Sequence, residues 1–312
     1  MARKFKTMYW SSFEMYINCP QRFLWKRGWE GIDLGYGMGE PIPPPKQDSM
    51  HHAVMGIALA KGMEDLYNLT LWRNPPSLRE KLENIVAKEL QYQIARKYID
   101  WGKTSHEEML KVCLDGIRGY LSTMKHNKLL GEYARSEVDM VADLGEGFPI
   151  GGRADLVIKR GSEVGIYDGK NSKSKGKYTS PDQLRWYGLL YHACEGVLPD
   201  KLGFIYFRYP FGTPTADGNG IEQGVDYISC NEIDIQVLSE RAVQAWKDIR
   251  AKKFEPTPTP KYCNFCEYNG MCDARQEQRK ANAKKRKKSL GLELDAGTEP
   301  FFEFSLPRAN KK

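Results

Sequence analysis

Apolar residues recur at three- and four-residue spacings over Met50 to Tyr67, Ser77 to Asp100 and Ser105 to Lys125, which predicts three amphipathic helices. Near Ala134 the period shortens to two and the chain reads as a sheet. Gly152 to Arg160, then Gly161-Ser162, then Glu163 to Lys170 reads as a hairpin closed by a two-residue turn. Pairing Arg160 with Glu163 places Val157 opposite Ile166, Leu156 opposite Tyr167 and Asp155 opposite Asp168. Ser180 reads as an N-cap and Pro181 as the first residue of a helix that runs to about His192. Leu202 to Tyr209 and Val225 to Ser229 read as further strands, and Asn231 caps a helix that ends before Pro256. Upstream, a helical segment reaches about Trp29, and Gly31 to Asp48 is a Gly/Pro-rich loop. No internal repeat is evident.

The hairpin register has a chemical consequence. Directly opposed side chains have Cβ atoms about 5 Å apart, where two carboxylates repel. Lys170 shares the face of Asp168, yet one ammonium leaves most carboxylate oxygens open to a hard divalent cation. Asp-x-Lys alone is a weak pattern, since an exposed hairpin with a cross-strand salt bridge also shows it. Three further features add to it. Gln183 and Tyr187, four apart, share one helix face just after the lysine strand. Cys19 near the start and Cys263, Cys266 and Cys272 near the end make four soft ligands, and their spacing does not choose between zinc and an iron-sulfur cluster. A predicted strand entering the hairpin carries Glu137 and Asp139 on one face, and the period does not say which points inward.

Asp155 followed by Asp168-Gly169-Lys170 resembles the catalytic core of the PD-(D/E)XK nuclease superfamily. The Gln183-x-x-x-Tyr187 pair resembles the motif of its RecB-like branch. Ser12 to Phe23, around Cys19-Pro20, resembles the N-terminal cysteine motif of branch members with a [4Fe-4S] staple, among them the AddB nuclease domain and the CRISPR-associated exonucleases. The resemblance implies an α/β fold (α+β, mixed sheet): a restriction-endonuclease-like core with an N-terminal helical region and a C-terminal cysteine segment. It implies a nuclease domain over residues 1–273, helical at about 50–127 and catalytic at about 134–252, closed by the cluster, with a basic, flexible tail over 274–312. Asp155, Asp168 and the Gly169 carbonyl would hold Mg2+ or Mn2+. Lys170 would orient or deprotonate the attacking water, Gln183 would order the site, Glu137 would stand near the metal, and Tyr187 would approach DNA. Cys19, Cys263, Cys266 and Cys272 would hold a [4Fe-4S] cluster, with Zn2+ as the alternative. The activity implied is DNA exonuclease cleavage of single strands or free ends in recombination, repair or replication.

One position departs from the pattern. The branch usually has Gly-x-x-x-His, with Glu four residues on; here Gly56 and Glu64 flank Ala60 where the histidine would fall. His51 and His52 are eight or nine residues away, about 12 Å along a helix. The missing ligand supports a rival expectation, a weak or inactive DNA-binding accessory factor of a recombination or integration complex. In a second rival, the cysteines scaffold a protein assembly.

Composition changes the picture at the end of the chain. The 312 residues are 41% hydrophobic, enough for a sizeable core, and no apolar run is long enough to cross a bilayer. Of the formal charge of +7, the run from Arg279 to Lys288, which includes Lys284, Lys285 and Arg286, accounts for seven, leaving the rest about neutral. That run either contacts phosphates, is merely solvated or acts as an import signal. Gly291 to Lys312 contains Phe301, Phe302 and Phe304 among acids, either a docking peptide for a protein partner or a segment packed on the body. Met1 to Lys6 leads into an amphipathic stretch with no apolar signal segment, so a reducing compartment is expected: cytoplasmic, and nucleoid-associated in a prokaryotic or viral setting.

Overall fold

The computed structural model describes residues 3–34, 42–44, 49–145, 147–172, 175–176 and 179–289. The chain divides into two compact units, Met1–Glu255 and Pro256–Lys312. The first unit begins with β1 (Arg3–Lys4), β2 (Met8–Tyr9), α1 (Trp10–Asn18), α2 (Pro20–Trp29) and β3 (Ile32–Asp33). The single helical segment expected up to Trp29 is thus two helices. A proline disfavours the α conformation in the residue before it, and Cys19 is extended (φ −165°, ψ 100°) while Pro20 opens α2. Of the Gly/Pro-rich loop, Ile32–Asp33 pairs in parallel with β1, and residues 35–41 and 45–48 lie outside the described residues.

β4 (Ser49–Met50), α3 (His51–Asn68), α4 (Pro75–Arg96), β5 (Ile99–Asp100) and α5 (His106–His126) follow. The three long helices match the apolar spacing closely. Ser105 and Glu108 form a reciprocal capping box at the start of α5. Then come β6 (Ala134–Asp143), β7 (Pro149–Arg160), β8 (Glu163–Lys170), α6 (Pro181–Glu195), β9 (Lys201–Tyr206), β10 (Val225–Ile228) and α7 (Glu232–Arg250), the last capped by Asn231 with Asp234 as expected.

The main sheet runs β10-β9-β8-β7-β2, with β6 on the other edge of β7. It is mixed: β8 is parallel to β9 and β2 to β7, while β6–β7, β7–β8 and β9–β10 are antiparallel. Helices cover both faces. Phe13, Phe23, Leu184, Trp186, Leu238 and Trp246 from α1, α2, α6 and α7 pack on one, with Ile150, Ala154, Val157 and Ile166 of the sheet. Leu59, Met63, Leu82 and Tyr120 from α3, α4 and α5 pack on the other, with Leu156, Ile158, Tyr167 and Ile205.

Two irregularities open the sheet at one point. Arg160, Val157 and Leu156 pair with Glu163, Ile166 and Tyr167 as the turn dictates, and the ladder ends there. Further back on the same edge of β7, Ile150 and Gly151 pair with β2, so residues 152–155 lie in a fork between β2 and β8. The second irregularity is an inversion of the pleat. Ala154 faces the α6 side and Leu156 the α3 side, although residues two apart share a face in a regular strand. β6 inverts at the same place: Ala134 faces the α3 side and Met140 the α6 side. Pairing stays in register across the change, Ser136 with Leu156 and Val138 with Ala154, while Glu137 and Asp155 between them form no ladder pair. Glu137 carries the turnover with φ +51°, a left-handed conformation that costs a non-glycine residue about 1–3 kcal/mol.

Helix α6 lies close over β7 because Gly152 presents no side chain. Trp186 Nε1 donates to the Gly151 carbonyl at 3.0 Å, and a Cβ on Gly152 would stand 2.8 Å from Leu190 Cδ1 and 3.0 Å from Tyr187 Cε1.

In the second unit, Thr259 caps α8 (Pro260–Cys263), and α9 (Asp273–Ser289) is tied to the cysteine loop by Arg275 to Asn264 Oδ1 at 2.8 Å and Gln278 to the Pro258 carbonyl at 2.6 Å. The segment past Asp273 therefore starts as helix; residues 290–312, with the aromatic-acidic motif, lie outside the described residues. Among the described residues no helix is long and apolar enough to cross a membrane.

Substituting Gly152→Val should lift α6 from β7 and lower stability by about 1–3 kcal/mol, the usual cost of overpacking. Thermal unfolding by circular dichroism checks this; a wild-type midpoint would refute the close approach.

Candidate active site

The end of β8 and the first turn of α6 make a closed polar triangle. Asp168 is 3% exposed, and Lys170, two residues on and on the same face, places Nζ 2.5 Å from its Oδ2. Gln183 donates from Nε2 to Asp168 Oδ1 at 3.0 Å and accepts from Lys170 Nζ at 3.0 Å. Pro181 and the backbone of Ser180 set where the helix begins, and with it the aim of Gln183; the Ser180 hydroxyl itself makes no cap bond. Asp155 stands at the fork. Its Oδ2 accepts from the Gly169 amide at 2.8 Å, a side chain joining the two strands beyond the last ladder pair.

Both carboxyls are held above the usual carboxylate range. For Asp155 burial is the largest cause and the charge of Asp168 the next, opposed by the Gly169 amide and Lys170. For Asp168 burial again leads, opposed by Lys170. Asp168 Oδ2 is buried and makes no aligned hydrogen bond, its partner being the Lys170 ion pair. Two hard oxygen donors with an underused buried lone pair suit Mg2+ or Mn2+, which complete their coordination with water. Among the described residues no three of His, Cys, Asp and Glu gather as a metal group, so these acids supply a two-carboxylate set.

Of the two acids on β6, Asp139 turns outward: Arg153 Nε and Nη2 bond it at 2.7 and 3.0 Å. Glu137 stays near the site. Burial raises its pKa, with Arg153 opposing, and its charge adds to the upward push on Asp155. Arg153 reaches both acids, its Nη1 lying 3.7 Å from Glu137 Oε2, and Glu137 is the less exposed of the two. Glu64 on α3, four residues after Ala60, also acts on Glu137 electrostatically; Lys61 bonds it at 3.2 Å and Ser136 Oγ donates to its carbonyl at 3.1 Å. Ala60, one turn earlier on α3, brings no ligand. Tyr187 is buried against Gly152, and burial together with the Asp168 charge raises its phenol pKa, the Gln183 hydrogen bond opposing.

The cysteine positions divide between the units. Cys19 marks the α1–α2 break, and Cys263, Cys266 and Cys272 sit in tight turns, with the Cys266 amide on the Cys263 carbonyl at 3.2 Å and the Gln276 amide on the Cys272 carbonyl at 3.0 Å. No disulfide forms among the described residues. The trio is not gathered into a ligand group as it stands. Burial pushes the thiols of Cys113 and Cys230 up to about 12 and about 11, which makes them poor thiolate ligands. Lys284, Lys285 and Arg286 are exposed on α9.

This geometry meets an independent finding. The family model of the PD-(D/E)XK nuclease superfamily matches residues 10–273, and the chain belongs to that superfamily. No curated protein matches it. Among solved structures it is similar to one described as "Crystal structure of SSO0001", at 18% identity over 81% of this chain and 96% of that one, with a TM-score of 0.34.

Two outcomes test the site. Glu137→Gly should be more stable than Glu137→Ala by roughly 1 kcal/mol in denaturant titration, because only glycine relieves the left-handed strain; equal midpoints would remove the strain. Second, a carboxyl held above its unfolded pKa contributes stability that is lost as pH rises from the ordinary carboxylate range through the folded value. In EDTA, Asp155→Asn should therefore melt higher than wild type at pH 8, the gap closing toward pH 4. A gap that does not narrow on acidification would contradict the raised pKa.

Proposed function

We propose that the protein is a Mg2+- or Mn2+-dependent DNA exonuclease that acts on single strands or free ends in recombination, repair or replication. Superfamily membership supports phosphodiester hydrolysis, and the observation that carries the reading is the Asp168–Lys170–Gln183 triangle beside Asp155. Asp155, Asp168 and the carbonyl of Gly169 are the groups that would hold the cation. When bound, the cation supplies Lewis-acid stabilisation of charge on the phosphate. Lys170 would present its ammonium to the attacking water, and Gln183, fixed by α6, bonds both Lys170 Nζ and Asp168 Oδ1 and so sets the orientation of that pair. Tyr187 and Gly152 hold α6 down so that Gln183 stays aimed, and the Tyr187 phenol borders the same acids. The exposed Lys284, Lys285 and Arg286 offer sequence-independent attraction to phosphates.

Cys19, Cys263, Cys266 and Cys272 are the proposed ligands of a [4Fe-4S] cluster, with Zn2+ as the alternative; the resemblance of the Cys19-Pro20 motif and the close spacing of the C-terminal trio support this set. A second reading, a DNA-binding accessory with weak catalysis, is favoured by one observation: Ala60 stands where a histidine ligand would be, one helical turn from Glu64.

Labelled single- and double-stranded DNA incubated with Mn2+ or with EDTA tests the proposal. Wild type should cut only with the metal. Asp168→Ala should lose cleavage and keep its circular dichroism spectrum, while Gln183→Ala should lower kcat about 10- to 100-fold with little change in metal dependence. Asp168→Ala cutting at wild-type rate would end the assignment, and DNA binding without cleavage by wild type would select the accessory reading. A brown purified sample would support the cluster and a colourless one zinc.

A further inference from the structure

Beyond the triangle, the turn just past the C-terminal end of β9 carries a guanidinium that no acid pairs with among the described residues. Arg208 donates from Nε to Asn171 Oδ1 at 3.1 Å, and Asn171 is the residue after Lys170. The neighbouring backbone is fixed too, the Phe207 amide bonding the Lys170 carbonyl at 3.0 Å. Arg208 is half-buried, and among the described residues no carboxylate pairs with it. It lines a pocket of about 280 Å³ with Lys111 and Thr104, floored by Met55 and bordered by His51 and Glu108.

The charges at this pocket are unequally committed. Glu108 is used in the α5 capping box, accepting from the Ser105 amide at 3.1 Å. Lys111 pairs with Asp115 at 2.5 Å, but both side chains are largely exposed and such a pair exchanges at little cost. His51 Nδ1 contacts the Asp100 carbonyl at 3.3 Å, leaving its other ring nitrogen for a ligand. Arg208 alone keeps a planar set of unused donors, the group best matched to a phosphate. A half-buried cation with no anionic partner is stabilised when a ligand supplies the anion.

Position says which anion. Met63 packs at Gly169, between Asp168 and Lys170, and Met55 lies in the pocket, eight residues and about 12 Å away along α3. Phosphates follow one another every 3.4 Å along a duplex strand, so the pocket stands a few nucleotides from the cleavage point. We propose that this pocket seats a phosphate of the bound DNA strand, with Arg208 as its principal ligand and Lys111 and His51 at the rim. The proposal rests on the nuclease reading and adds a substrate subsite to it.

Fluorescence anisotropy with single-stranded oligonucleotides in EDTA, where no cleavage occurs, tests it apart from catalysis. Arg208→Gln should bind about tenfold more weakly, and the slope of log affinity against log salt should fall by about 0.7, one phosphate contact on a single strand. Arg208→Lys should recover part of the affinity, and with metal present Arg208→Gln should raise KM more than it lowers kcat. A penalty seen with 5'-phosphorylated but not 5'-hydroxyl oligonucleotides marks a terminal phosphate; an equal penalty marks an internal one. Should Arg208→Gln fail to fold, the exposed Lys111→Gln carries the test, with a two- to threefold loss and a shallower salt slope expected. Unchanged affinity and slope in the folded variants would overturn the subsite, even if wild type cuts DNA. Wild type that cuts nothing while the Arg208→Gln penalty persists would overturn the nuclease reading instead.

Discussion

Two carboxyl groups held close together inside protein are the constraint around which this molecule is arranged. Burial pushes both Asp155 and Asp168 upward in pKa, the charge of Asp168 adds to the push on Asp155, and the chain offsets that cost with one ammonium, one side-chain amide and one backbone amide. Each partner comes from a different local rule. Lys170 is there because strand side chains repeat every second residue, Gln183 because a proline-started helix begins where it does, and the Gly169 amide because the hairpin ladder stops one pair short of the acids. Asp168 Oδ2 is left without an aligned hydrogen bond, and in the proposed function a cation completes the arrangement.

The surrounding fold works to keep that point open. A regular six-stranded sheet would have closed the gap between β2 and β8 with backbone hydrogen bonds. Instead the turnover at Glu137 and Asp155 inverts both strands together, keeping the pairing register while turning the side chains over. The strain at Glu137 is stored beside the two acids and offset by packing on both faces. Gly152 completes the construction from above by letting α6, with Gln183 and Tyr187, come close, and Gly151 leaves room for Thr7 and Tyr9.

Much of this was legible in residues alone, and the failures have physical causes. The Gly161-Ser162 turn fixed the hairpin register, and the three- and four-residue apolar spacing located α3, α4 and α5, because both signals are local. The inversion was not legible: glutamate rarely takes a left-handed conformation, and nothing in the two-residue period marks Glu137 as the place where the strand turns over. Cys19-Pro20 did contain the helix break, in the rule that a proline excludes the helical conformation before it. The two-residue β2 and the pairing of β1 with β3 rest on distant partners and leave no periodic trace. Arg208 drew no notice because its significance is the absence of an acid nearby, which exists only in three dimensions.

Calorimetric titration of Mn2+ into the protein at pH 7, in two buffers of different ionisation enthalpy, bears most directly on the shared carboxyl site. If Asp155 and Asp168 hold a proton in the metal-free state, binding must expel it, and the observed heat should change with the buffer. Binding with a buffer-independent heat, or no binding at all, would contradict the picture of two acids held together for a cation.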